Sequence, residues 1–428
     1  MKILIVTPLF PPQNAVGALR PYSWAKYWTR EGHAVDVYTV ESYGVDSGLN
    51  IDLQNLNVVA YPVPFISKMA RKWQNVSDES SGGSSNQNKK SSIFAKLKKV
   101  YRDLIDKTGC IMGVRYPDMR DFWAKKVIKS INPQKYDLVV STGCPYSVHR
   151  VCYYVKKKNP KVFWILDWRD LWTLNPYWNG LKIFNPYEKK LEKKYHALAD
   201  VITVVSDGLK DDLAKLTSNT IITIPNGFDK EDYTSFIGKD KTNRNSKQLT
   251  CVYTGTIYKG VQDITPFLKA VRELLDEERI QEKQIEFIAA GNVADLLQDI
   301  EYYKLQNIFT FKGFIPRDEA LRLTYNCDIA LLLLGKNNKG ILTGKLFEYL
   351  TLADYTLGVD FSNESDAGKI INEANAGCCF DSNVEEIKDV LIKKLKEKNQ
   401  GCYSIKNDSV IEQFDRRLLA KRMIELVR

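Results

Sequence analysis

The chain has 428 residues, 44% of them hydrophobic and 27% charged, with a formal net charge of +10. That length and balance fit a soluble chain of two domains, each with its own core, and no apolar run reaches the roughly 18 residues of a membrane span. The eight cysteines contain no CxxC pair and the three histidines have no metal-ligand spacing, so neither a disulfide framework nor a metal site is expected.

The positive charge favours anionic partners such as nucleotides or anionic lipid. Nucleic acid is not an expected partner, because the lysines are widely spread and no DNA- or RNA-binding motif is present. The N-terminal MKILIVTPLFPP has too short an apolar run for a signal peptide, is ended by Pro11-Pro12 and offers no small-residue cleavage site. A cytoplasmic location is therefore expected.

Lys2–Thr7 reads as a buried strand and Gly17–Glu31 as a helix, with Leu19, Trp24, Tyr27 and Trp28 on its apolar side. Gly32 ends the helix, and Val35, Val37, Tyr38 and Val40 give the next strand, a βαβ opening. GxGxxG is absent, so the dinucleotide fingerprint is not expected. Gly17 either starts the helix or leaves room for a phosphate or sugar. Asn57–Val63 is a further strand, and Ser77–Ser92 is low-complexity. Ile93–Lys107 has one apolar helical face flanked by lysines; it either packs on its own domain or lies on an anionic membrane surface.

Tyr136–Thr142 is a strand, Tyr146–Lys158 a helix and Val162–Trp168 a strand whose end carries Asp167, Arg169 and Asp170. Open α/β sheets bind ligands beyond the carboxyl ends of their strands, which makes these charges site candidates. The alternative is an Asp–Arg pair that fixes the loop. Asn185–Ala199 and Asp207–Leu216 read as helices, and Val201–Ser206 and Ile221–Pro225 as strands. The turn pair Asn226-Gly227 then closes the first domain.

After a polar linker the pattern restarts. Leu249–Thr254 is a strand, followed by Gly255 and Lys259 in a loop and a helix over Ile264–Glu278. Ile285–Ala290 and Ile308–Phe311 are strands, and Pro316–Tyr325 is a helix. Ile329–Leu334 is a strand, Gly335–Gly344 a glycine-spaced loop, and a helix starts near Lys345. Strand, glycine loop and helix in that order build an anion site, because a helix start presents unpaired N–H groups and partial positive charge. Lys345 adds a full charge, and Glu348, one turn on, an acceptor suited to sugar hydroxyls. The same residues also fit an ordinary strand-loop-helix unit with a solvated Lys and Glu. Ala367–Ala376 and Val384–Lys398 are late helices, and Val410–Val427 is amphipathic. The expected domains are residues 1–227, joined by a C-terminal helix over 408–428, and residues 228–407. Sites in such proteins fall in the cleft between domains.

Five segments, in order, carry a resemblance: PLFPPQNAVGALRPYSWAKYWTREGHAVDVYT; STGCPYSVHRVCYYVKK with ILDWRDLW; VITVVSDGLKDDL; IPNGFD; and GKLFEYL. Together they resemble the GT-B-fold retaining glycosyltransferases of family 4. The resemblance implies an α/β protein of two Rossmann-like domains whose parallel sheets face across a deep cleft, with the acceptor on the N-terminal side. A nucleotide-sugar donor of UDP or GDP type would bind the C-terminal side. The implied reaction is sugar transfer with retention, with no metal and no cofactor beyond the donor.

Glu348 matches the second Glu of that family's E-x7-E pattern, which binds the nucleotide ribose; the first falls at Gly340. Backbone N–H groups of Gly340–Gly344, Thr343 among them, are then expected to hold the sugar and diphosphate. Lys259 and Lys345 are the candidate cations for the leaving diphosphate. Asp170, or Asp167, matches the strand end that contacts donor sugar or acceptor. If the basic helix over 93–107 does lie on a membrane, the expected acceptor is a lipid-linked or growing surface polysaccharide, with the protein peripheral on the inner face of the plasma membrane. Two rival classes remain. One is a catalytically silent nucleotide-sugar-binding or membrane-surface scaffold in which Gly340 marks lost chemistry. The other is a sugar-nucleotide epimerase on the same fold.

Overall fold

The short apolar runs resolve into two parallel sheets. The structure, a computed structural model, describes residues 1–13, 15–42, 49, 51, 53–63, 108–111, 114–143, 146–175, 178–241, 246–258, 260–335, 340–403 and 405–427. Ser77–Ser92, the helix expected at Ile93–Lys107, and Lys259 lie outside these residues.

The chain divides into two units, Met1–Ile224 with Ala420–Arg428, and Pro225–Leu419. In the first, strands β1 (Lys2–Val6), β2 (Ala34–Val40) and β3 (Asn57–Tyr61) are followed by a short ribbon, β4 (Cys110–Ile111) with β5 (Arg115–Asp118). Then come β6 (Leu138–Thr142), β7 (Phe163–Trp168), β8 (Val201–Val204) and β9 (Ile221–Thr223). The main sheet has the order β3-β2-β1-β6-β7-β8-β9. Ile3 lies between Val35 and Leu138, both in parallel register. Runs such as ILIV and LVVST are apolar without alternation because helices cover both faces of the sheet. These helices include α1 (Val16–Arg30), α2 (Ser147–Lys158) and α3 (Asn185–Leu198). The core is dense in rings: Trp164, Trp168, Trp172, Tyr146 and Tyr195 are all buried, and Tyr146 stacks on Trp172 at 4.5 Å.

The second unit repeats the plan with β10 (Leu249–Thr254), β11 (Ile285–Ala290), β12 (Phe309–Phe311), β13 (Ile329–Leu333), β14 (Tyr355–Val359) and β15 (Gly377–Phe380). The order is β12-β11-β10-β13-β14-β15, and every neighbouring pair is parallel. Its helices include α4 (Thr265–Asp276), α5 (Arg317–Tyr325) and α6 (Gly344–Leu352). In each unit the strand order reverses once, between β1 and β6 and between β10 and β13. That reversal opens a crevice at the carboxyl ends, where open α/β sheets bind ligands.

The C-terminal segment differs from the single helix expected over 408–428. It forms α7 (Asp408–Glu412) and α8 (Arg416–Ile424), and only Ala420–Arg428 joins the first unit. The break coincides with a contact to a distant segment. Phe228 donates its N–H to Phe414 at 3.1 Å and accepts from that of Arg416 at 2.8 Å, while Phe414 packs on Phe347. Further on, Trp28 Nε1 donates to the Ala420 carbonyl at 2.9 Å, which fastens the end of the chain to the first unit. Among the described residues no helix is long and apolar enough to cross a membrane.

Candidate functional site

In the second unit the crevice is built from the exits of β10 and β13 and the start of α6. Leu346, Phe347 and Leu350 bury one face of α6 in the core. Lys345 and Tyr349, one turn apart, face the end of β10. The Tyr349 hydroxyl meets Thr254 Oγ1 at 3.0 Å, and Lys345 Nζ lies 4.6 Å from the centre of the Tyr253 ring and 3.3 Å from its hydroxyl. Space for the ammonium exists because residue 255 has no side chain: a Cβ there would stand 2.3 Å from Nζ, and φ of +116° is itself a glycine conformation.

The start of α6 is open. Thr343 takes the capping position in extended backbone, but its side chain makes no capping hydrogen bond and its hydroxyl is buried without a partner. No acidic residue stands in the first turn, where helices ordinarily place one. Lys345 is half-buried, and among the described residues no carboxylate lies within ion-pair distance of it. Burial pushes its ammonium down to about 8, against the weaker upward pull of Glu348. The helix start and the lysine thus concentrate positive potential, and among the described residues no carboxylate pairs with the ammonium.

The surroundings are tied together by hydrogen bonds. The Asn226 side chain donates to the Leu342 carbonyl at 3.1 Å, and Gln262 Nε2 to that of Leu333 at 2.9 Å. Asp360, fully buried at the end of β14, accepts from the backbone N–H groups of Leu334, Gly335 and Asp263 at 3.1, 3.0 and 2.8 Å. Burial outweighs these bonds and pushes its carboxyl up to about 6. Glu348 is half-buried and already engaged: Arg317, at the start of α5, donates to it at 2.7 Å and holds Asp232 at 3.0 Å. Arg317 and Asp360 are absent from the sequence expectations, which give Asn226 only as a turn residue and part of the IPNGFD segment. Asp360 follows an apolar strand, so the strand-end rule applied to β14 would have found it.

In the first unit the crevice is dominated by Arg169. Its Nη1 donates to the Gly17 carbonyl at 2.5 Å. Residue 21 would normally supply that carbonyl with an N–H, but it is Pro21, which has none. The guanidinium replaces the missing donor, and it fits because a Cβ at residue 17 would lie 2.0 Å from Nη1. The space that Gly17 opens is therefore filled by Arg169.

Asp167 is fully buried. It accepts from Arg20 at 2.8 and 3.1 Å, from Thr142 at 2.6 Å and from Thr203 at 2.7 Å. Although burial opposes it, the Arg20 charge and these bonds hold its carboxyl below the ordinary range. With its acceptor capacity used in the core, Asp167 ties α1 to three strands, and its ion pair is with Arg20 instead of its neighbour Arg169. Asp170 is exposed. The protein around it displaces bulk water and raises its carboxyl above the ordinary value, against the pull of Arg169. His149 is buried between Ser141 and the Gly143 carbonyl, at 2.8 and 3.0 Å, and burial pushes it down to about 3, so it is a neutral packing residue.

The structure thus brings Gly255, Thr343, Gly344 and Lys345 together, with Glu348 one turn along α6, and Gly340 at the start of the loop segment that leads into it. Gly17 and Asp170 belong to the first unit. Among the described residues no group of three or more His, Cys, Asp or Glu side chains is arranged to hold a metal ion.

Residues 103–232 match the model of Glycosyltransferase Family 4. The N-terminal domain of Candida albicans trehalose-6-phosphate phosphatase is similar over 100% of this chain and 96% of its own, at 12% identity and a TM-score of 0.63. Sucrose-phosphate synthase from Thermosynechococcus elongatus is similar over 100% and 98%, at 11% identity and a TM-score of 0.58. S. aureus TarM, in a complex with UDP, is similar over 100% of both chains at 8% identity and a TM-score of 0.58. No curated protein sequence matches the chain. The architecture is the GT-B fold, and the sequence likeness to Glycosyltransferase Family 4 lies in residues 103–232.

Proposed function

We propose that this chain is a glycosyltransferase that takes a sugar from a nucleotide-sugar donor bound by the second unit and passes it, with retention, to a glycan or lipid-linked acceptor. The observation that carries this reading is the uncapped start of α6, with Lys345 beside it and, among the described residues, no carboxylate within ion-pair distance of its ammonium. A protein gains nothing in stability from a half-buried ammonium without a carboxylate. An anionic ligand would supply the missing charge.

The chemistry matches those groups. Breaking a glycosyl–phosphate bond leaves negative charge on the diphosphate and positive charge on the sugar ring. Lys345 and the N–H groups at Thr343 and Gly344 would stabilise the first, and they are fixed in place before the reaction. Glu348, held by Arg317, would accept from ribose hydroxyls. Gly340 stands where the family's first Glu would be, so the sugar would be held there by backbone. We assign Asp170 to the acceptor hydroxyl. No covalent nucleophile is assigned: in front-face transfer the departing phosphate oxygen takes the acceptor proton, and the acceptor oxygen bonds to the same face of the anomeric carbon.

The test is turnover. The protein is incubated with UDP- and GDP-sugars and a panel of glycan and lipid-linked acceptors. Nucleoside diphosphate release is followed, and the product anomer is read by NMR. Acceptor-dependent release with a retained anomer is expected. Donor binding without release under any acceptor would favour the scaffold reading, for which Gly340 is the motivating residue. Release with inverted configuration would refute retention.

A further inference from the structure

On the first unit, the sequence NPYEKKLEKKYHAL folds into α3 with its acids and its lysines on opposite faces. Glu188 is buried, where it accepts from Arg115 at 2.8 Å, Trp172 Nε1 at 3.1 Å and the Tyr116 N–H at 2.9 Å. Glu192 is buried too and accepts from the Thr173 hydroxyl at 2.5 Å. Glu and Lys spaced along a solvated helix ordinarily pair one turn apart. Here both carboxylates are turned inward and committed. Lys182, Lys189, Lys190, Lys193 and Lys194 are exposed, and among the described residues none has a carboxylate within ion-pair distance. Beside the first of them stands an exposed apolar group, Ile183, 80% exposed; the half-exposed Tyr187 packs its ring on Tyr116 at 4.9 Å and accepts from Arg150 at 3.2 Å.

We propose that this face of α3, with the turn Lys182–Phe184 that precedes it, docks on the surface of an anionic lipid bilayer. Five unneutralised lysines complement anionic headgroups, and their stems let the ammonium groups reach them. Ile183 supplies the second signal, an apolar group for the headgroup–acyl boundary, which a soluble polyanion would not need. The face is separate from the donor crevice, and the proposal does not depend on the reaction proposed above.

The experiment is sedimentation of the full chain with phosphatidylcholine vesicles, with and without phosphatidylserine. Binding is expected only with phosphatidylserine and to weaken with salt. Lys189→Glu with Lys190→Glu changes the face by four charges, and at about fivefold per charge the partition coefficient should fall by roughly 600-fold. Ile183→Ser should lower it at unchanged charge. Both variants alter exposed side chains, so their thermal transitions should match that of the wild type. No binding by the wild type, or a double variant that sediments like the wild type, would overturn the proposal; the second result would move the contact elsewhere, residues 93–107 included. Binding to heparin that competes fully with vesicles and is indifferent to Ile183→Ser would assign the face to a soluble polyanion instead.

Discussion

Replacing Lys345 by Met should make the protein more stable and a poorer binder of nucleoside diphosphates. The ammonium titrates near 8 where a free lysine titrates at 10.5. At about 1.36 kcal/mol per pH unit, keeping it charged costs the folded state roughly 3 kcal/mol. A lysine whose folded pKa is lowered exacts that cost fully below its folded value, and the cost fades as pH rises from about 8 to 10.5. Lys345→Met, of similar length and uncharged, should therefore raise the unfolding free energy at pH 7 by up to about 3 kcal/mol and have little effect at the alkaline end. The same change removes a charge-assisted contact to the diphosphate, about 1.5–3 kcal/mol, or roughly 10- to 150-fold in Kd. Wild-type affinity should fall above pH 8 as the ammonium loses its proton, and that dependence should vanish in the variant. Denaturant melts and calorimetric titrations on both sides of pH 8 read the two effects separately. A variant that is less stable at pH 7, or that binds like the wild type, would refute the reasoning.

Three further changes test other parts of the structure. Gly255→Ala puts a Cβ 2.3 Å from Lys345 Nζ at a φ of +116°. It should weaken nucleotide binding as Lys345→Met does but lower stability, by about 1–3 kcal/mol of backbone strain, read in the same two assays. Asp170 has a raised carboxyl pKa, so the wild-type rate should fall as acid protonates it; Asp170→Asn should lower kcat and abolish that acidic limb in a pH–rate profile. Arg115→Met leaves Glu188 buried and unpaired, and urea melts should show a loss of about 3–5 kcal/mol.

Contiguous features were legible in the sequence. Leu249–Thr254 and Ile285–Ala290 are each a single apolar run, and they form strands with those bounds. The loop and helix around Lys345 lie in one stretch, so their order could be read directly. Features made by distant residues could not. Asp167 pairs with Arg20, 147 positions away, while its neighbour Arg169 serves a carbonyl orphaned by Pro21. Glu348 is held by Arg317 from another helix. Helices over Arg120–Ser130 and Ala294–Tyr302 were missed; the first carries a weak apolar stripe, with Phe122 exposed beside the buried Trp123. The C-terminal break was hidden because the bridge between Phe228 and Asp415 lies outside any local pattern.

The central claim is that α6 carries a nucleotide-sugar site, and calorimetric titration of UDP, GDP and their sugar conjugates into the wild type and Glu348→Ala tests it most directly. One nucleotide should bind, and the substitution should weaken it by about 1–3 kcal/mol, as loss of a buried hydrogen-bond acceptor does. Binding by neither nucleotide, or equal binding by Glu348→Ala, would contradict it.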